Sequence, residues 1–444
     1  MHGVRVSRWS LAYFYVAIGS LATAELILML GIANPLQALS SAWTLVAVHL
    51  TTIGWATMLM LGALQQFVPV LTAKELTSQS MSGMTWASLT AGLVLLLLGF
   101  LTLPGGLIVG DAWLLPTGGT LIVLGIVVAL GNLGATLAHA WPWNLPVWFI
   151  ASGLLFLLLT VSLGLIFAIG LSYPTFLTPG SAMAIFGRGL VAHIMGGIVG
   201  WLTLSAMGVS YKLFSMFTLA PEHRGWWGWT AYSATGGGVA LIWVSQWVAS
   251  SSLSSTVGWV MGGVGLSIFL VDMVRLYHSR KRRILELNAD MGRWALAALT
   301  IAVLLGAWVR ITGQWTEWTL PLVFFWLFGW VGGLGLTQLY KIVPFLAWLD
   351  SFGTKMGKQR TPRVQDLVRE SRDKPAFIAY FVAIFLALVG LAWQSEWFFQ
   401  CAIGLALVST LDISRALWRV RHLRALTGPP THTAMLITER SKTP

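Results

Sequence analysis

The segment Gly54-Trp55, followed eleven residues after its glycine by Gln65-Gln66-Phe67-Val68-Pro69-Val70-Leu71, recurs twice further along the chain. The second copy is Gly200-Trp201 with Tyr211-Lys212-Leu213-Phe214-Ser215-Met216-Phe217, and the third is Gly329-Trp330 with Tyr340-Lys341-Ile342-Val343-Pro344-Phe345-Leu346. The offset from the glycine to the polar pair is the same in all three. Each copy ends a long apolar run. Tyr-Lys is shared by two copies and an internal proline by two, which makes three chance matches a poor explanation. A histidine lies shortly upstream in the first two copies, His49 and His193. The third copy has none.

The surrounding composition sets the environment of these runs. Of 444 residues, 57% are hydrophobic and 9% charged, with a mean hydropathy of +0.77. A soluble chain carries roughly a quarter charged residues. Apolar stretches of membrane-crossing length recur from end to end, which predicts a polytopic helical membrane protein in a lipid bilayer. Twelve spans are expected, near 10–33, 43–73, 84–108, 113–138, 146–172, 183–217, 226–249, 255–277, 291–312, 318–348, 375–394 and 397–420. With the N-terminus inside, the inner segments hold all of the 27 Lys and Arg residues except Arg188 and Arg310. The positive-inside rule then puts both termini in the cytoplasm, in a cytoplasmic membrane of bacterial type. The net charge of +12 is therefore a topology signal. It can also touch anionic lipid at the cytoplasmic face, and no nucleic-acid partner is expected.

The single cysteine, Cys401, excludes a disulfide framework and a thiolate metal cluster; in its apolar setting it is expected to pack as a small hydrophobe. Arg5 to Arg8 before a long apolar stretch looks like a signal peptide, but the run is too long and contains Glu25, so an uncleaved first span is expected. The triple glycine Gly236-Gly237-Gly238 and the pair Gly262-Gly263 would let helices approach closely. The repeats fall on spans 2, 6 and 10, so the chain reads as one transmembrane domain, 1–426, of three four-helix units in the same orientation, near 1–140, 141–285 and 286–426. The residues 427–444 read as a disordered cytoplasmic tail.

Twelve spans, three pseudo-symmetric four-helix arcs and special residues on helices 2, 6 and 10 resemble the catalytic subunit (subunit I) of heme-copper oxidases. The stretch His49-Leu50-Thr51-Thr52-Ile53-Gly54-Trp55 to Pro69 is similar to that family's histidine-bearing helices. The chain also resembles the NnrS family, twelve-helix heme- and copper-containing proteins linked to nitric oxide stress. The resemblance implies that His49 matches the helix-2 ligand of the low-spin heme and that His193 lies on the helix supplying a copper ligand. The family's paired histidines on helix 7 have no counterpart. Leu322 and Phe324 stand where His193 and His49 would recur on helix 10, and the turn before helix 12 offers Glu396 in place of an arginine pair. NnrS-type proteins carry more histidines on helix 2 than the one here.

Reducing oxygen needs an open iron site facing a second metal, and copper there needs about three imidazoles. The ligand count excludes a competent terminal oxidase, and copper is not expected. What the resemblance leaves is one b-type heme through His49, with His193 the second candidate ligand and Arg188 and Arg310, the two outer cations, as propionate contacts. Each has a plainer reading: a histidine bonded to a carbonyl, an arginine snorkelling at the interface. Glu25 reads as a proton-relay carboxylate or, more simply, as the partner of His49. Lys212 and Lys341 are expected to snorkel toward lipid phosphates, Gln65 and Gln66 to cross-link helices, and Asp412 with Arg415 to pair along one helix face. The function expected is electron relay, sensing or assembly around respiration or nitric oxide, with other respiratory subunits as partners. The alternative is a non-redox transporter or assembly partner with no cofactor.

Overall fold

A computed structural model describes residues 9–107, 111–222, 225–248, 252–355, 358 and 361–422. Arg5 and Arg8, His223 and the tail 427–444 lie outside them. All regular structure among the described residues is helical. The long helices are α1 (Ser10–Met29), α2 (Ala42–Thr72), α3 (Gln79–Phe100), α4 (Leu114–Ala138), α5 (Leu145–Ser172) and α6 (Pro179–Thr218). They continue as α7 (Trp226–Ser245) and α8 (Ser252–His278), then α9 (Leu287–Thr312), α10 (Trp315–Lys355), α11 (Glu370–Ala392) and α12 (Glu396–Arg421). Among the described residues, eleven helices are long and apolar enough to cross a membrane. The expected span at 226–249 is the helix α7, whose first half is rich in Trp, Gly, Ser and Thr and leaves it less apolar than the rest.

The contacts repeat every four helices. The three most extensive helix pairs are α3 with α4, α7 with α8, and α11 with α12. Small residues bring them together. A Cβ on Gly118 of α4 would lie 2.5 Å from the Leu96 backbone nitrogen of α3, and one on Gly238 of α7 would lie 2.5 Å from that of Gly262 on α8. The glycine-rich stretch of α7 thus does what its composition suggests. The last helix closes on the first through a direct α1–α12 packing face, and Gln37, in the connection after α1, donates to Glu396 at 3.1 Å.

The three repeat segments share a backbone device that spacing alone does not announce. Each Gly-Trp sits in a π-helical stretch within its helix, Leu50–Thr57 in α2, Gly196–Thr203 in α6 and Trp326–Gly332 in α10. Each repeat glycine also faces the preceding helix of its own unit. A Cβ on Gly54 would meet Ser20 of α1 at 2.5 Å, on Gly200 Phe156 of α5 at 2.5 Å, and on Gly329 Ala298 of α9 at 3.1 Å. The tryptophan that follows is driven to the centre of the bundle. Trp55, Trp201 and Trp330 are 0%, 1% and 0% exposed.

The indoles are joined across the units. Trp201 Nε1 donates to Thr57 Oγ1 at 3.0 Å, and Trp326 Nε1 donates to Thr203 Oγ1 at 2.9 Å. Thr57 and Thr203 are equivalent, three residues after their glycines. The third equivalent is Gly332, which has no hydroxyl to offer, and a Cβ there would lie 3.7 Å from Trp55 Nε1. A glycine replaces the threonine where the third copy meets the first, so the ring of indole–hydroxyl bonds is open at that junction.

The helix ends carrying the basic loops are held by ion pairs. Lys341 and Arg282 both bind the Glu286 carboxylate, and Gln365 Nε2 donates to it at 2.7 Å. Lys212 pairs with Glu222. The two lysines therefore bind carboxylates of their own chain, where snorkelling to lipid was expected. Burial disfavours the Glu286 anion, but its bonds from Lys341, Gln365 and Arg282 outweigh that and hold the carboxyl below the usual carboxylate range. Asp290 binds Arg293 and Lys374. Gln66 does cross-link helices, its Nε2 donating to Ser10 Oγ of α1 at 2.7 Å. No ion pair joins Asp412 to Arg415, both of which lie on the outside of α12. Cys401 is exposed rather than packed inside.

Candidate functional site

His49 lies on α2 five residues before Gly54, and His193 lies on α6 seven residues before Gly200. Both are half-buried. The His49 Nδ1 is 2.8 Å from the Leu45 carbonyl one turn back, and the ring lies against Phe100 of α3 with centroids 4.7 Å apart. The His193 Nδ1 reaches across to the Thr160 carbonyl of α5 at 3.0 Å, and its ring meets the edge of Phe167 at 5.4 Å. Gly164 makes room for it, since a Cβ there would stand 3.0 Å from His193 Cε1.

A carbonyl oxygen can only accept, so in each neutral imidazole the proton sits on Nδ1 and the lone pair is left on Nε2. That is the arrangement in which a backbone carbonyl orients a histidine for a metal. Each ring packs within its own unit, His49 against α3 and His193 against α5. Their two-residue offset corresponds to about 200° of helix rotation, which rules out their being copies related by the repeat.

The other candidates do not join this pair. Glu25 is fully buried, but Thr410 of α12 is its partner, donating to Oε1 at 3.0 Å. Glu25 thus belongs to the α1–α12 seam, and the simpler expectation that it binds His49 is not met. Its real partner is 385 residues away in sequence, beyond the reach of spacing arguments. Arg310, at the end of α9, donates to Thr256 Oγ1 of α8 at 2.5 Å. Arg188 is exposed on α6 five residues before His193, beside an open cleft of about 500 Å³ lined also by Met183, Gly187, Val191 and Gln246. In the third copy, Phe324 stacks on Phe328 at 4.7 Å and meets Phe399 edge-on at 5.5 Å, filling with rings the place of a histidine.

Two imidazole nitrogens can hold one iron. Among the described residues, no group of three or more His, Cys, Asp or Glu side chains is arranged to hold a metal ion. A second polar cluster that sequence reasoning missed lies toward the basic loops. Asp373 of α11 accepts from Tyr340 at 2.7 Å and from Arg419 of α12 at 2.7 Å. Tyr211, the counterpart of Tyr340, packs against the rings of Phe149 and Phe269. The shared Tyr-Lys of two copies was the available signal, because a buried phenol needs a partner. Neither a scan against protein-family models nor a search of curated proteins returns a match to this chain.

Proposed function

We propose that the chain is a twelve-helix membrane protein of heme-copper-oxidase-like architecture that lacks an oxygen-reducing centre and binds one b-type heme through His49 and His193. The observation that carries this reading is the pair itself. Two imidazoles, on α2 and α6, have their Nδ1 fixed by backbone carbonyls and keep an Nε2 lone pair free for a metal. The four-helix recurrence of contacts supports three arcs, with α7 the twelfth span and the basic loops in the cytoplasm. Such a protein would sit in the cytoplasmic membrane of a bacterium, against anionic lipid and beside other respiratory subunits.

His49 and His193 are the residues that would hold a heme, with Arg188, five residues before His193, available for a propionate. They do not fit a heme-copper pair. A bound heme would supply one-electron chemistry, and two histidine ligands leave iron no open position for oxygen. The protein's part is to hold both rings in one tautomer, to wall them with Phe100 and Phe167, and to keep that layer apolar. This suits electron relay, or sensing and assembly in respiratory or nitric-oxide-related membranes, and not catalysis.

One observation favours a second reading. Each Nδ1 already has the protein partner that a packing histidine needs, and the bundle centre is filled by indoles. On that basis the chain is a non-redox transporter or assembly partner. Heme content decides between them. The full chain, expressed with added heme precursor and purified in detergent, is expected to hold one heme per chain by pyridine hemochrome assay, and His49→Ala is expected to lose it. A heme-free protein of normal fold leaves the second reading standing.

A further inference from the structure

A small cavity of about 70 Å³ lies where α11 begins beside the last turns of α12. Its lining includes Leu367, Arg369, Arg372, Asp373 and Arg419. Three guanidinium groups thus border a space the size of a small ion, with one carboxylate among them. That carboxylate is already engaged: Asp373 takes one bond from Arg419 Nη2 and one from Tyr340. It fixes Arg419 in place and leaves a surplus of positive charge.

The remaining donors are unspent. Arg419 Nε is buried with no acceptor, and a buried N–H without a partner is costly. Arg369 and Arg372 are exposed, and among the described residues neither forms an ion pair. They flank the first turn of a 23-residue helix in which Glu370 and Asp373 already meet the backbone dipole, so the attraction for an anion comes from the guanidinium groups themselves. Hydrophobic or cationic occupants are ruled out by this charge. The planar, forked donors of arginine match the oxygens of phosphate.

We propose that this cavity is a phosphate-binding site, filled by the phosphate of an anionic lipid headgroup or by free phosphate. The start of a membrane-spanning helix stands at headgroup level, so either source can reach it. Arg419 acts as the fixed inner donor, and Arg369 with Arg372 close over the outer oxygens.

The test uses the full chain in detergent with two probes. Native mass spectrometry counts retained phosphatidylglycerol against phosphatidylcholine, and equilibrium dialysis measures inorganic phosphate. The variant is Arg369→Gln with Arg372→Gln, since neither side chain holds another part of the protein. The control is Lys281→Gln with Lys358→Gln, which removes the same charge elsewhere on the basic loops. The expected result is at least a tenfold weaker binding of one probe in the arginine variant and not in the control. If phosphatidylglycerol is the probe affected, the source is lipid; if inorganic phosphate, it is the free anion. Equal binding of both probes in variant and control, or no binding by the unaltered chain, overturns the site.

Discussion

The third Gly-Trp segment differs from the first two in two chemical respects: it has Gly332 where they place a threonine, and no histidine upstream. All three use a π-helical stretch, a glycine against the preceding helix and a fully buried tryptophan. Only α2 and α6 set an imidazole beside that stretch, while α10 sets Phe324 and Leu322 there. The backbone device therefore does not depend on the histidines. It survives in a copy without them because close packing and indole burial hold it. The difference separates two layers along the same helices: a tryptophan layer common to all three copies, and histidines about one to two turns upstream in two of them.

The largest effect should come from breaking the structural layer. Trp201→Ala removes a side chain 1% exposed and is expected to cost about 3–5 kcal/mol of stability, read as unfolding in mixed detergent. Trp393→Ala, at a site 72% exposed, should change stability by no more than about 0.5 kcal/mol. Equal effects would erase the distinction between centre and periphery.

A smaller effect tests the bonds between units. Thr57→Val keeps the shape but leaves Trp201 Nε1 buried without its acceptor, at a cost of about 1–3 kcal/mol. Thr203→Val should do the same through Trp326. If both variants are as stable as the unaltered protein, the indole–hydroxyl bonds do not join the units.

The smallest effect lies in the ion cluster at the basic loops. The Glu286 carboxyl is held below its ordinary range by Lys341, Gln365 and Arg282 against the opposing effect of burial. Its stabilisation is therefore fully present above the unfolded carboxylate value of about 4.3 and is lost as pH falls through the lower folded value. The melting temperature of the unaltered protein should drop over that acidic window. In Glu286→Gln the same titration should give a shallower drop from a lower starting point. Parallel curves would remove Glu286 from the account.

Much of this architecture is legible in residue order, for particular reasons. Apolar runs of span length mark eleven helices, and α7 was visible through its aromatic and glycine content even though it is the least apolar. The repeat of Gly-Trp pointed to equivalent places on α2, α6 and α10. The π-helical stretches were not legible, because a shift of hydrogen-bond partner over eight residues leaves no pattern in side-chain types. Contacts between distant helices were lost for a related cause. Glu25 finds Thr410, and Lys341 finds Glu286, through packing that no local spacing encodes. His49 and His193 could be named from the sequence, yet the carbonyls that fix their rings, Leu45 one turn back and Thr160 on the neighbouring helix, are set by the fold.

The most direct measurement is the reduced-minus-oxidised visible spectrum of the purified chain, taken beside His193→Ala. The account predicts the narrow α-band of a low-spin b-type heme in the unaltered protein. In His193→Ala, where one axial ligand is lost, that band should vanish or give way to a high-spin spectrum. A protein with no heme absorbance after expression with heme precursor, or a low-spin band left unchanged by His193→Ala, would contradict it.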